Sequence, residues 1–225
     1  MNRPFVSAII VAAGNSTRMG TNKQLLTLGD RPVIAHTLSA FERCESVDEI
    51  VLVAREENVE ALRAIVTQYG IEKLTAVVAG GAERQDSVEN GVAACSDRAT
   101  HLAIHDGARP LITSAMIAEV IEAAKAGGAA AAAVRVKDTV KVADDRGFIV
   151  DTPDRATLWY VQTPQIFEKT LYLDSMEKAQ QSGLAVTDDC RLVEAAGYPV
   201  KLVEGSYSNI KITTPEDIRI AEEWL

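Results

Sequence analysis

Ala12-Ala13-Gly14-Asn15-Ser16-Thr17-Arg18-Met19-Gly20-Thr21-Asn22-Lys23-Gln24 follows directly on the apolar, β-branched run Phe5-Val6-Ser7-Ala8-Ile9-Ile10-Val11. The run reads as a buried strand, and a strand opening into a glycine-containing loop is a common way to build a phosphate site. Two well-defined versions of that device do not fit. A Walker A loop needs four residues between its glycines and then Lys-Ser/Thr, whereas five residues separate Gly14 from Gly20 and Thr21-Asn22 precedes Lys23. The dinucleotide fingerprint Gly-x-Gly-x-x-Gly requires glycine where Ser16 stands. The loop has its own chemistry instead. Gly14 and Gly20 let the backbone come close to a ligand with N–H groups free for phosphate oxygens. Arg18 adds a planar fork and Lys23 a mobile point charge, both suited to polyphosphate. The plain alternative is a turn carrying two solvated cations.

Outward from this loop, strand and helix signals alternate. Arg31–Cys44 reads as a helix with Pro32 in its first turn, Glu49–Ala54 as a strand, and Glu56–Tyr69 as a helix closed by Gly70. A strand over Lys73–Ala79 ends at Gly80-Gly81; a helix over Arg84–Ala94, a strand over His101–His105 and a helix over Ser114–Ala126 follow. This rhythm predicts an α/β fold: a single Rossmann-like, mostly parallel sheet with helices on both faces, its ligands at the carboxyl ends of the strands. Ala129–Ala133 favours helix by propensity, but leading into Val134-Arg135-Val136 it reads better as a strand of small residues packed closely from both sides.

Between Lys137 and Asp154 the rhythm breaks. Thr139–Val142 and Phe148–Val150 flank the polar turn Asp144-Asp145-Arg146-Gly147, which predicts a β-hairpin. It has few core-facing residues and would be marginal alone, so it reads as a projecting arm over about 137–154 that packs on a partner subunit. Leu158–Phe167 returns as a strand, followed by helices near Glu168–Ser182 and Asp188–Ala196 and a strand over Pro199–Glu204. A last helix starts at Thr214-Pro215-Glu216-Asp217 with Thr214 as its cap. No repeat or linker interrupts residues 1–225, which suit one domain.

The bulk numbers exclude several classes. No apolar run approaches the roughly 18 residues of a membrane span. The apolar start could pass for a short signal peptide, but cleavage would remove the strand that supports the loop, so it reads as the first strand of a soluble, cytoplasmic protein. Cys44, Cys95 and Cys190 are odd in number, far apart and outside any metal-ligand spacing; His36, His101 and His105 form no cluster either. Reduced, partly buried thiols in the cytoplasm are the expectation. A net charge of −9 argues against a general nucleic-acid binder. A local cluster of cations can still receive an anionic small molecule.

The loop resembles the A-A-G-x-x-x-R-M-G-x-x-x-K-Q signature of sugar-nucleotide pyrophosphorylases, most nearly that of the 2-C-methyl-D-erythritol 4-phosphate cytidylyltransferases. Further segments are similar in the same order: Gly80-Gly81-Ala82-Glu83-Arg84-Gln85-Asp86-Ser87-Val88, His105-Asp106-Gly107-Ala108-Arg109-Pro110, the arm with Thr139 and Arg155 at its feet, Thr163-Pro164-Gln165, and Asn209-Ile210-Lys211-Ile212-Thr213-Thr214-Pro215-Glu216-Asp217. The resemblance implies that Ala12, Ala13 and Gly14 wrap the triphosphate of CTP, with Arg18, Lys23 and Lys211 on phosphate oxygens as the catalytic cations. It puts Gly80, Gly81 and Ser87 at the nucleoside, with Arg84 bracing the loop. Asp106 would serve CTP, the substrate and the metal region, where Mg²⁺ or another divalent cation rides mainly on the CTP phosphates. Arg109, Thr139, Arg155 and Thr163 would meet the polyol phosphate, two of them reaching across a homodimer through the arm. Gly107 departs from the alanine common at its position, implying a slightly looser ribose contact.

Taken alone, each segment also has a plain reading as a turn, a cap or a solvated surface charge. A lysine between Ile210 and Ile212 should point away from both, which aims Lys211 at the site. Ribitol-5-phosphate cytidylyltransferases share the loop and much of the scaffold and are the nearest rival. A non-catalytic nucleotide-binding sensor is the rival of another class, and it would not need both Lys23 and Lys211.

Overall fold

The structure is a computed structural model that describes residues 3–14, 22–183 and 186–225. β1 (Val6–Val11) leads to a short antiparallel pair, β2 (Thr27–Leu28) and β3 (Arg31–Pro32), and then to α1 (Val33–Glu42). There follow β4 (Glu49–Ala54), α2 (Val59–Gln68), β5 (Leu74–Ala79), α3 (Arg84–Ala93) and β6 (His101–Asp106). Next come α4 (Ser114–Gly127), β7 (Ala129–Arg135) and a hairpin of β8 (Val142–Ala143) and β9 (Ile149–Asp151). β10 (Trp159–Glu168), α5 (Lys169–Ser182), α6 (Asp189–Ala195), β11 (Lys201–Glu204) and α7 (Pro215–Glu222) complete the chain. No helix among the described residues is long and apolar enough to cross a membrane.

Seven strands form one sheet in the order β11-β7-β10-β6-β1-β4-β5. Every neighbouring pair is parallel except those of β10, which runs antiparallel to both β6 and β7. The reason is the connection: β7 reaches β10 through the arm and not through a crossover helix, and without that crossover the strand returns antiparallel. The expected mostly parallel α/β sheet is therefore present, with one reversed strand inside it.

The sheet is covered on both faces because its strands are apolar on both. Ala8 and Ile10 join one core with Ile34, Leu38 and Phe41 of α1 and Ile117 and Val120 of α4. Ile9, Val51 and Val53 join the other with Val88 and Val92 of α3 and Tyr172 of α5. The alanine run is a strand, as read. Ala130 and Ala132 lie in the first core, and Ala129 and Ala131 lie in the second with Phe167 and Tyr172. Small residues there leave room for bulky neighbours, which outweighs alanine's preference for helix. Gly128, at φ +81°, ends α4 and lets the chain turn straight into the strand.

Pro32 departs from expectation. It lies outside α1 at its N-cap with extended backbone (φ −60°, ψ 146°), not in the first turn. Arg31, ahead of a proline, is pushed toward extended geometry and pairs with Leu28. The arm is a hairpin as expected, but its paired pieces are short. Asp144 caps the turn by accepting from the N–H groups of Arg146 and Phe148. Phe148, Ile149 and Val150 are all exposed.

α3 approaches the sheet closely at Gly91, where an added Cβ would stand 2.5 Å from Ile9 Cγ2 and 2.9 Å from Val53 Cγ2. Gly91→Val is therefore expected to cost about 2 kcal/mol through overpacking. Denaturant unfolding checks this, and a midpoint equal to that of the parent would rule out so tight a contact.

Candidate active site

The strand order reverses at β1. From β1 the chain adds β4 and β5 on one side, then returns to lay β6 on the other. A crevice outside the carboxyl ends of the strands at such a point is where open α/β sheets bind ligands. Here Val11 and Asp106 are register partners, so β1 and β6 end level. Around these ends lies a pocket of about 270 Å³ lined by residues that include Ala13, Gly14, Lys23, Gln24, Gly81, Arg84, Ser87, Asp106 and Lys211.

Asp106 is the electrostatic centre of this pocket. Its Oδ2 is 3.0 Å from Lys211 Nζ and 3.4 Å from Arg109 Nε, and its Oδ1 is 4.0 Å from Arg84 Nε. Burial alone would raise the carboxyl pKa, but the charges of Lys211, Arg109 and Arg84 outweigh it and hold the group well below the usual carboxylate range. Its backbone N–H donates to the buried Thr163 hydroxyl at 3.1 Å. Arg109 is half-buried and its Nη1 donates to the Asn209 carbonyl at 2.7 Å. The Ile212 N–H donates to the Ala108 carbonyl at 2.9 Å, which ties the Lys211 segment to the loop after β6. That segment is not a strand, yet Ile212 is buried while Lys211 is exposed, as the alternation predicts.

The loop after β5 is held by its own side chains. Ser87 Oγ accepts from the Gly81 N–H and donates to the Glu83 carbonyl, each at 3.0 Å. A Cβ on Gly80 would stand 2.3 Å from the Ala13 Cβ, and one on Gly81 2.2 Å from the Asp86 Cβ. Close packing of protein on protein therefore demands these glycines. The Arg84 guanidinium passes behind the loop to Asp189, with Nη2 2.7 Å from Oδ2.

A sequence model described as IspD: 2-C-methyl-D-erythritol 4-phosphate cytidylyltransferase matches residues 6–225. The protein of that name from Alkaliphilus oremlandii is 49% identical over 222 residues, covering 97% of this chain and 94% of that one. The one from Caldanaerobacter subterraneus subsp. tengcongensis is 49% identical over 223 residues, covering 98% of both. The crystal structure of 4-diphosphocytidyl-2C-methyl-D-erythritol synthase from Anaerococcus prevotii superposes with a TM-score of 0.89 at 36% identity, covering 99% of each chain. The chain belongs to the IspD family.

Of the residues expected to act in this IspD-family chain, Ala13, Gly14, Lys23, Gly81, Ser87, Asp106 and Lys211 line one pocket. Arg18 lies outside the described residues. Several others differ in placement. Ala12 is buried in the core and Gly80 packs on Ala13. Arg109 and Thr163 are turned to Asp106, holding it from the side chain and the backbone. Thr139 and Arg155 line a second, open concavity at the foot of the arm with Arg135, Val136 and Asp154. Arg155 donates to the Lys137 carbonyl there at 2.7 Å.

Asp189, Tyr172 and Gln24 were missed. The first two lie 105 and 88 positions from Arg84 along a chain with no local cue joining them, and Gln24 had only its adjacency to Lys23. Gln24 lines the pocket with its Oε1 buried and unpartnered. Among the described residues no group of three or more His, Cys, Asp or Glu is gathered to hold a metal ion. Glu83 and Asp106 both line the pocket; the Glu83 side chain is engaged in the capping box of α3, and Asp106 is the buried one of the two. Magnesium is commonly held by one or two carboxylates plus substrate phosphates, so this donor set fits a phosphate-borne ion and not an all-protein cage.

His105 is fully buried against Phe41, ring centroids 4.9 Å apart, and neither ring nitrogen has a hydrogen-bond partner. Burial lowers its pKa to about 3. The unfolded chain therefore binds the extra proton between about pH 6.5 and pH 3, and stability falls as pH drops through that window. His36 and His101 are lowered by burial too and add to the slope. In His105→Leu the loss of stability between pH 6 and pH 4 should be shallower than in the parent by up to about 1.4 kcal/mol per pH unit. Parallel curves would show that His105 is not held neutral.

Proposed function

We propose that this pocket transfers CMP from CTP to 2-C-methyl-D-erythritol 4-phosphate, releasing pyrophosphate and giving 4-diphosphocytidyl-2-C-methyl-D-erythritol for non-mevalonate isoprenoid synthesis. The observation that carries this reading is the cation-lined crevice at the β1/β6 switch point in a chain of the IspD family. A phosphate oxygen of the acceptor attacks the α-phosphorus of CTP, and the bond from that phosphorus to the pyrophosphate oxygen breaks. A phosphate monoester, with a second pKa of about 6, is largely dianionic at neutral pH. The nucleophile therefore needs no general base, consistent with a pocket that no histidine among the described residues lines.

What the reaction needs is positioned positive charge. Lys23 and Lys211 line the pocket and serve the α-phosphate. Arg18 serves the triphosphate with them. Lys211 is held on Asp106 at 3.0 Å with its side chain partly exposed, and it turns to the phosphate when CTP arrives. Gly14 and Gly81 offer backbone to the nucleotide. Asp106 takes the ribose side and would help hold Mg²⁺ borne on the phosphates. The ion's contribution when bound is to neutralise charge on the phosphate oxygens.

Thr139 and Arg155 hold the acceptor phosphate in a neighbouring subunit's site. Their exposed concavity at the arm's foot, away from the residues lining the first pocket, and the exposed Phe148, Ile149 and Val150 support a homodimer made through the arm. The free, buried Cys44, Cys95 and Cys190 support a reducing, cytoplasmic setting.

Pyrophosphate release with Mg²⁺ tests the reading. It is expected with CTP and methylerythritol 4-phosphate; release with ribitol 5-phosphate instead would overturn the acceptor assignment. Lys23→Ala and Lys211→Ala should each lower kcat about 10²-fold, the scale of losing one preorganised charge partner, and unchanged turnover would remove that lysine from the α-phosphate. Arg155→Ala should chiefly raise KM for the polyol phosphate. Mixed with Lys23→Ala it should regenerate some parental sites, and inactive mixed dimers would argue against a shared site.

A further inference from the structure

The Arg84 guanidinium faces two ways. Nε is 4.0 Å from Asp106 Oδ1 at the pocket, and Nη2 is 2.7 Å from Asp189 Oδ2 behind it. Asp189 is itself buried, and its other oxygen, Oδ1, accepts from the buried Tyr172 hydroxyl at 2.7 Å. Three helices thus feed one line of polar contacts into the site: Tyr172 from α5, Asp189 from α6 and Arg84 from α3. Burial works against the Arg84 charge, but Asp189 and then Asp106 more than offset it.

The frame around this line is also polar and fully engaged. Gln165 Nε2 donates to Asp188 Oδ2 at 3.0 Å, and its Oε1 accepts from the Cys190 N–H at 3.0 Å. The same strand carries Thr163, whose hydroxyl holds the Asp106 backbone. α6 is therefore pinned to the strand that positions Asp106, and its carboxylate at 189 has a defined distance from the pocket.

From this geometry we infer that Asp189, set by Tyr172, is a positioning residue for nucleotide binding: it holds Arg84 back from Asp106 so that Asp106 Oδ1 stays open to the nucleotide. Without the Asp189 charge, Arg84 has Asp106 as its remaining buried counter-ion, and the 4.0 Å gap closes into a full ion pair. Lys211 and Arg109 already occupy Oδ2. An Arg84 on Oδ1 would then leave Asp106 with no oxygen to offer. The arrangement is a competition between two carboxylates for one guanidinium, won at rest by Asp189 because its contact is shorter and hydrogen-bonded.

The inference rests on CTP as the nucleotide, and the test separates the two. CTP binding by the full chain needs no acceptor; parental protein that neither binds CTP nor releases pyrophosphate would sink the proposed function itself. Given binding, Asp189→Asn keeps the shape and removes the charge. It is expected to raise the Kd and KM for CTP about tenfold, the range of coupling between groups in one network, while KM for methylerythritol 4-phosphate stays within about twofold of the parent. Tyr172→Phe should move CTP affinity the same way by a smaller factor, about threefold. The decisive comparison uses Arg84→Met. In that background Asp189→Asn should change CTP affinity less than about twofold, since there is no arginine left to release. If the loss is as large without Arg84 as with it, or if Asp189→Asn lowers the melting temperature and leaves CTP affinity alone, Asp189 merely stabilises α6 and the inference is wrong.

Discussion

A carboxylate buried at the end of β6 has to be compensated, and the site is arranged around that requirement. Asp106 leaves water on a strand whose neighbours are apolar, and an isolated buried charge would cost far more than a domain can spare. Its partners come from three separate parts of the chain: Arg84 at the start of α3, Arg109 three residues on, and Lys211 in the segment before α7. Bringing them together closes the C-terminal third of the chain over the β1/β6 crevice. Thr163, from the reversed strand β10, completes the set by accepting from the Asp106 N–H. The one antiparallel strand in the sheet is thus the one that delivers this support.

The same arrangement gathers cations at one point of an acidic protein. The net charge is −9, yet Lys23, Arg84 and Lys211 line a pocket in which Asp106 is already neutralised. An anion entering there meets a lining that carries Lys23, Arg84 and Lys211, and in a partly desolvated crevice such charges act more strongly than at the surface.

Much of the fold was legible because its signals are short-range. The strand periods, the capping box at Thr214 and Asp217, and Gly70 after α2 are decided within a few residues. Pro32 was misplaced because the tertiary pairing of Arg31 with Leu28 overrode its ordinary use in a first helical turn. The resemblance puts Gly80 and Gly81 at the nucleoside, but their tight packing against Ala13 and Asp86 comes from contacts that spacing along the chain does not reveal.

By itself the sequence determined the α/β class, the alanine strand, the arm and the family, since periodicity, turn chemistry and ordered motifs are properties of neighbouring residues. Tertiary structure alone decided which charges meet. It turned Arg109 and Thr163 inward onto Asp106, set Thr139 and Arg155 in a different concavity, and joined Arg84 to Asp189 and Tyr172. A contact across 105 positions depends on how three helices pack on one sheet, and electrostatics acts through that distance in space, not along the chain.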